Sequence, residues 1–65
     1  MPQFDVTPKE YARVFNIHPA TARDILDDWF RAGDPDVKRS GRTTKRFPNG
    51  KLIRLSRERF ERLLK

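Results

Sequence analysis

The residues best suited to chemistry fall in two places. His18, Ala20, Thr21, Arg23 and Asp24 stand together just after a turn signal, and Lys38, Arg39, Arg42, Lys45, Arg46, Lys51 and Arg54 lie in a segment, residues 37–56, with no acidic residue. An arginine can pair bidentately with guanine, a threonine can touch a thymine methyl, and an aspartate can accept from the cytosine amino group. A run of lysines and arginines neutralises phosphates, the sequence-independent part of nucleic-acid affinity. Other chemistries lack their residues. The chain has no cysteine and a single histidine, so neither a thiolate nor a multi-histidine metal site can be assembled. The scattered carboxylates form no triad and no glycine loop cradles a phosphate, so neither catalysis nor a metal or cofactor is expected.

Charge sharpens this reading. The 65 residues carry a net charge of +6, which suggests a polyanionic partner. Residues 1–36 hold four basic residues against seven acidic ones, while residues 37–65 hold eleven basic residues against Glu58 and Glu61. A disordered basic tail would not need Phe47, Leu52, Ile53 and Leu55 interleaved among its charges. One domain over residues 1–65 is expected, small enough to bury only about 60% of the surface of its unfolded chain. No run reaches the ~20 apolar residues of a membrane span, and Met1-Pro2-Gln3-Phe4-Asp5 has no apolar leader core. The expectation is a cytoplasmic protein held at no membrane.

The elements that must position these residues have clear punctuation. Thr7-Pro8-Lys9-Glu10 has the cap, first-turn proline and third-position glutamate of a helix start, with Val6 and Tyr11 placed as a hydrophobic staple. That helix is predicted over 8–15 and ends at Asn16, which tolerates the left-handed conformation. His18 caps a second helix at Pro19, whose stripe Ala22, Ile25, Leu26, Trp29 and Phe30 keeps helical spacing. Gly33 closes it before Asp34-Pro35. Asn49-Gly50 is a strong hairpin signal, predicting strands over 43–47 and 51–55. Ser40-Gly41 is a second possible turn, with a further strand conceivable at 37–39. Ser56 caps a last helix over 57–64, with Phe60, Leu63 and Leu64 inward and Arg57, Arg59, Glu61 and Arg62 on its wet side.

Two helices joined by a short turn, the second longer, form a helix-turn-helix whose second helix presents its N-terminal residues to the major groove. Helical geometry turns Ala20, Asp24, Asp27 and Arg31 outward, flanked by Thr21, Arg23 and Asp28. Arg23 is the expected base reader. Asp24 either accepts from cytosine or holds Arg23 or Arg31, and His18 is read as a cap before a DNA contact. Asp27 and Asp28 should repel phosphate, limiting entry to the first two turns. The basic hairpin supplies phosphate contacts that a net-negative scaffold cannot. Arg42, Lys45, Arg46 and Lys51 are favoured for this over Lys38 and Arg54. Trp29 and Phe30 are read as core before stacking platforms.

Residues 6–23, with Thr7, Glu10-Tyr11-Ala12, Ile17 and Thr21-Ala22-Arg23, together with Gly33, the basic hairpin and residues 56–64, resemble the excisionase and MerR-like winged helix-turn-helix family. Asn16 stands where glycine is common, His18-Pro19 where serine is common, and the 34–43 loop is longer than usual. The resemblance implies a small α+β winged helix-turn-helix, with a two-helix motif, a basic β-hairpin wing and a C-terminal helix. It also implies an architectural protein that binds repeated sites in double-stranded DNA of a phage or mobile element and bends it. Such a protein helps an integrase, a tyrosine or serine recombinase, toward excision. The expected state is a monomer that cooperates on adjacent DNA sites, placed with the nucleoid. A transcriptional repressor, or the DNA-binding part of a longer phage protein such as a packaging subunit, is the alternative. An RNA-binding or protein-interaction module is a second.

Overall fold

Thr7 and His18 set the first two helices, as their sequence signals require. A computed structural model describes residues 3–65; Met1 and Pro2, which open the segment read as lacking a leader, lie outside the described residues. Helix α1 spans Pro8–Phe15, and the Thr7 hydroxyl accepts the Glu10 N–H at 3.0 Å. Asn16 ends it in the left-handed conformation, φ 55°, and the Ile17 N–H reaches back to the Ala12 carbonyl. Helix α2 spans Pro19–Arg31, with His18 Nδ1 accepting the Ala20 N–H at 3.0 Å. Gly33, at φ 85°, then lets the Asp34 N–H bond the Trp29 carbonyl, closing the helix end as its position predicts.

The strands correct the sequence reading. Strand β1 is Val37–Ser40 and strand β2 is Leu52–Leu55, paired antiparallel with Val37 opposite Leu55 and Ser40 opposite Leu52. The expected 43–47 strand is loop, and the segment considered conceivable at 37–39 takes its place. Two physical reasons act together. Val37 can be buried against Leu55, whereas Thr43, Thr44, Lys45 and Arg46 offer no apolar face. Pro48, with its fixed φ, then occupies the second position of a turn closed by Gly50 N–H to the Phe47 carbonyl at 3.1 Å. Asn49 keeps a negative φ, so the hairpin turn that needs two positive φ values cannot form on Asn49-Gly50. Gly50 instead sits at φ 117° against the Ser40 backbone, where a Cβ would run into the carbonyl.

Helix α3, Arg57–Leu63, follows Ser56, whose hydroxyl faces the Arg59 N–H at 3.5 Å. Val6 bridges Leu55 through reciprocal backbone bonds of 3.2 and 2.9 Å, adding the N-terminal segment beside β2. The core lies where these elements meet: Val6, Ala22, Leu26 and Leu55 are buried completely, and Val6 and Tyr11 both join it as the staple predicts. Tyr11 is its aromatic hub, 4.6 Å from Phe15, 6.1 Å from Trp29 and 6.3 Å from Phe60 between ring centroids. Leu63 and Leu64 are exposed, not inward; the short α3 turns its single deep anchor, Phe60, into the core and leaves its last turn outside. The result is three helices with a two-stranded antiparallel hairpin, a layout consistent with a winged helix-turn-helix. Among the described residues, no helix is long and apolar enough to cross a membrane.

At Gly50 a side chain would have to push the two strands apart while adopting a disfavoured φ. Gly50→Ala is therefore expected to destabilise the fold by about 2–4 kcal/mol. Gly33→Ala, which meets open space, should cost only the φ strain, about 1–2 kcal/mol. Urea unfolding of the two variants checks the order.

Candidate nucleic-acid interface

Ion pairing sorts the charges before any partner arrives. Arg57 of α3 bonds Glu10 at 2.7 Å and Asp5 at 2.9 Å, and these carboxylates, Glu10 first, hold its guanidinium even further above its usual range. Arg59 meets Asp34 and Asp36 at 3.2 and 2.9 Å, and Arg62 reaches Asp36 at 3.4 Å. Arg57 and Arg59 are thus half-buried clasps between the basic and acidic halves, not members of a freely wet face as their spacing suggests. Among the described residues, Lys38, Arg42, Lys45, Arg46, Lys51 and Arg54 form no ion pair. The surplus positive charge is left on the hairpin and its loop.

The outward stripe of α2 forms one wall of an open groove of about 490 Å³. Ala20, Arg23, Asp24, Asp27 and Arg31 line it on the helix side, and Arg46, Phe47, Pro48 and Asn49 face them from the 41–51 loop. The loop holds its own shape. Thr44 Oγ1 accepts the Phe47 N–H at 2.9 Å, the Thr44 N–H bonds the Phe47 carbonyl at 3.1 Å, and the Lys51 N–H bonds the Arg42 carbonyl at 3.0 Å. A smaller hollow of about 170 Å³ is lined by Arg23, Lys51 and Arg54, together with Arg39 and Phe47, with no carboxylate in its lining. Arg23 therefore belongs to both depressions.

The remaining site residues have distinct places. His18 is exposed but its Nδ1 is used as a cap, so in the neutral ring Nε2 carries the proton. Thr21, Arg42 and Lys45 are exposed; none of the three lines the groove or the hollow. Lys38 sits 4.4 Å above the Phe4 ring and directly opposite Arg54 across the strands. Like charges in that position repel, which an anion between them would relieve. Asp24 lines the groove and makes no ion pair among the described residues, so the alternative in which it holds Arg23 or Arg31 is not realised. Arg31 is held by Asp27, at 3.0 Å.

Arg39 departs most from its sequence reading. The sequence places it among the phosphate-binding cations, yet its side chain is only 6% exposed. Its guanidinium bonds Asp27 of α2 and the Gly50 carbonyl at 3.3 Å, and lies 5.6 Å from the Phe30 ring and 4.9 Å from Phe47. The register explains this: Arg39 pairs with Ile53 and so shares the inward face of the hairpin. Alternation from Val37 carried that signal, but only once β1 was placed. Phe47 and Asn49 join the groove without a signal in the sequence, because nothing local shows that the loop folds back toward α2; Arg31 lies on the outward stripe as its spacing predicts. No protein-family model matches the chain, and neither a curated protein nor a solved structure matches it.

Removing the Arg39 charge leaves its hydrogen-bond partners unmet inside the molecule. Arg39→Gln is expected to cost about 1–3 kcal/mol in stability, while the exposed Arg42→Gln stays within about 0.5 kcal/mol. Denaturant midpoints of the two variants distinguish a structural arginine from a surface one.

Proposed function

We propose that this protein binds double-stranded DNA in a sequence-specific way, with the N-terminal half of α2 at the major groove and the basic hairpin on the flanking backbone. The observation that supports this most directly is that residues of the outward stripe of α2 line the same two depressions as Arg46, Lys51 and Arg54, three of the unpaired cations of the hairpin. Arg23 offers a fork for guanine, and Asp24 an acceptor for cytosine. The hollow lined by Arg23, Lys51 and Arg54 suits a phosphate, since these three cations make no ion pair among the described residues and no carboxylate lines it. Lys38, Arg42, Lys45 and Arg46 add long-range attraction that salt would screen.

The finer role follows the sequence resemblance. It is that of an excisionase-like architectural protein, acting as a winged helix-turn-helix monomer that cooperates on adjacent sites, bends DNA and supports an integrase in the cytoplasm of a bacterial or phage-infected cell. Retarded, laddered bands on attachment-region DNA support that role. Single-site binding without bending favours a repressor.

The reading is tested by fluorescence anisotropy on a duplex selected from a randomised pool and on its scrambled counterpart, across a salt series. Arg23→Ala should weaken binding to the selected duplex by about 1–3 kcal/mol and narrow its advantage over the scramble. Lys51→Ala should weaken both duplexes alike and reduce the salt slope by about one. If no duplex is selected, while single-stranded or folded RNA binds, the proposal fails.

A further inference from the structure

Asp27 looks out of place on a DNA-facing helix. It lies on the outward stripe of α2, where a carboxylate repels phosphate, and simple electrostatics says that its removal strengthens binding. Its surroundings say otherwise. Oδ2 is held by Arg31 at 3.0 Å, and Oδ1 accepts from Arg39. Its charge is therefore met by two guanidinium groups, one on its own helix and one on the hairpin.

The contact with Arg39 reaches the loop by two routes. The same guanidinium donates to the Gly50 carbonyl and lies against the Phe47 ring. Gly50 is pressed on the Ser40 backbone, and Phe47 closes both the 44–47 and the 47–50 turns. Moving Arg39 therefore moves the segment carrying Arg46, Phe47 and Asn49, which forms the far wall of the groove. Without Asp27 the Arg39 charge, only 6% exposed, has lost its counter-ion and must turn toward water.

From this arrangement we infer that Asp27 is a positioning residue: through Arg39 it fixes the 41–51 loop against α2, and DNA recognition depends on that placement more than it suffers from the negative charge. The inference rests on the DNA-binding reading above, and it assigns to an acidic residue an effect opposite in sign to that of its charge. Asp28 supplies the internal comparison. It is the next residue on the same helix, is exposed, and has no ion pair among the described residues.

The test compares Asp27→Asn with Asp28→Asn in the full chain, on the duplex selected from a randomised pool and on its scramble. Asp28→Asn should bind as tightly as the parent or tighter, by up to about threefold, as removal of a repelling charge requires. Asp27→Asn should bind the selected duplex about tenfold more weakly, with little change on the scramble. Asp27→Glu, which keeps the charge, should recover most of the difference. Adding Arg39→Gln to Asp27→Asn should cause no further loss, because the two side chains act as one unit. Hydrogen exchange on the free proteins gives a readout independent of DNA: amides in residues 41–51 should exchange faster in Asp27→Asn, while those of α1 keep their protection. If Asp27→Asn does not fold, the double variant Asp27→Asn/Arg39→Met carries the same comparison, since neither partner of the pair then keeps a charge.

Tighter binding by Asp27→Asn, matching Asp28→Asn, with loop exchange unchanged overturns the inference. Failure of the parent protein to bind any duplex defeats the DNA-binding reading and the recognition half of the inference with it. In that case the exchange result still decides whether Asp27 places the loop.

Discussion

The guanidinium of Arg39 is inside the molecule, and a charge there must be met on every side. Asp27 supplies the counter-charge, the Gly50 carbonyl a hydrogen bond, and Phe30 and Phe47 the rings on which the planar group rests. This requirement ties together three segments: the third turn of α2, the β1 strand and the loop that returns to β2. A hairpin only four residues per strand long has little apolar surface of its own, and such a ribbon is marginal when isolated. Its attachment comes from Val37 and Leu55 at one end and from Ile53 with Arg39 opposite it toward the other. Arg39 thus sits where the hairpin meets the groove beside α2.

A second constraint is the unequal distribution of charge along the chain. The acidic first half and basic second half attract each other, and the fold converts that attraction into local pairs. Asp5, Glu10, Asp34 and Asp36 are taken up by Arg57, Arg59 and Arg62 on α3. Individually such partly exposed pairs contribute little, typically below ~1 kcal/mol. Collectively they dock a seven-residue helix whose deep apolar contact is Phe60 alone. They also remove carboxylates from the surface and leave the hairpin cations unopposed. The same pairing thus organises the last helix and concentrates positive potential on one side.

Local signals were enough for the helices. Thr7, Asn16, His18-Pro19 and Gly33 each act within a few residues, so their roles could be read from neighbours along the chain. The strands depended on partners farther away. Asn49-Gly50 resembles a hairpin turn, but Pro48 moved the turn by one position, and only the burial of Val37 against Leu55 shows where β1 belongs. Arg39 was misplaced for the same reason. An arginine in a basic run reads as exposed until the strand register turns it inward and Asp27, twelve residues earlier, comes within reach. The exposed ends of α3 follow from the opposite error, since helical spacing shows which residues share a face but not how far the neighbouring core extends. Of the candidate site, Arg23 and the loop cations were legible as residue types; their assembly into a groove and a cationic hollow was not.

In the proposed function α2 and the 41–51 loop are two sides of one DNA-binding surface. The most direct measurement is a two-dimensional amide NMR titration of the labelled protein with a duplex selected from a randomised pool. The predicted result is that shifts concentrate in residues 18–24 and 41–51, with the strand residue Arg54 following and the outer face of α3 unchanged. Shifts confined to α3, or absent from either half of the groove at saturation, would contradict it.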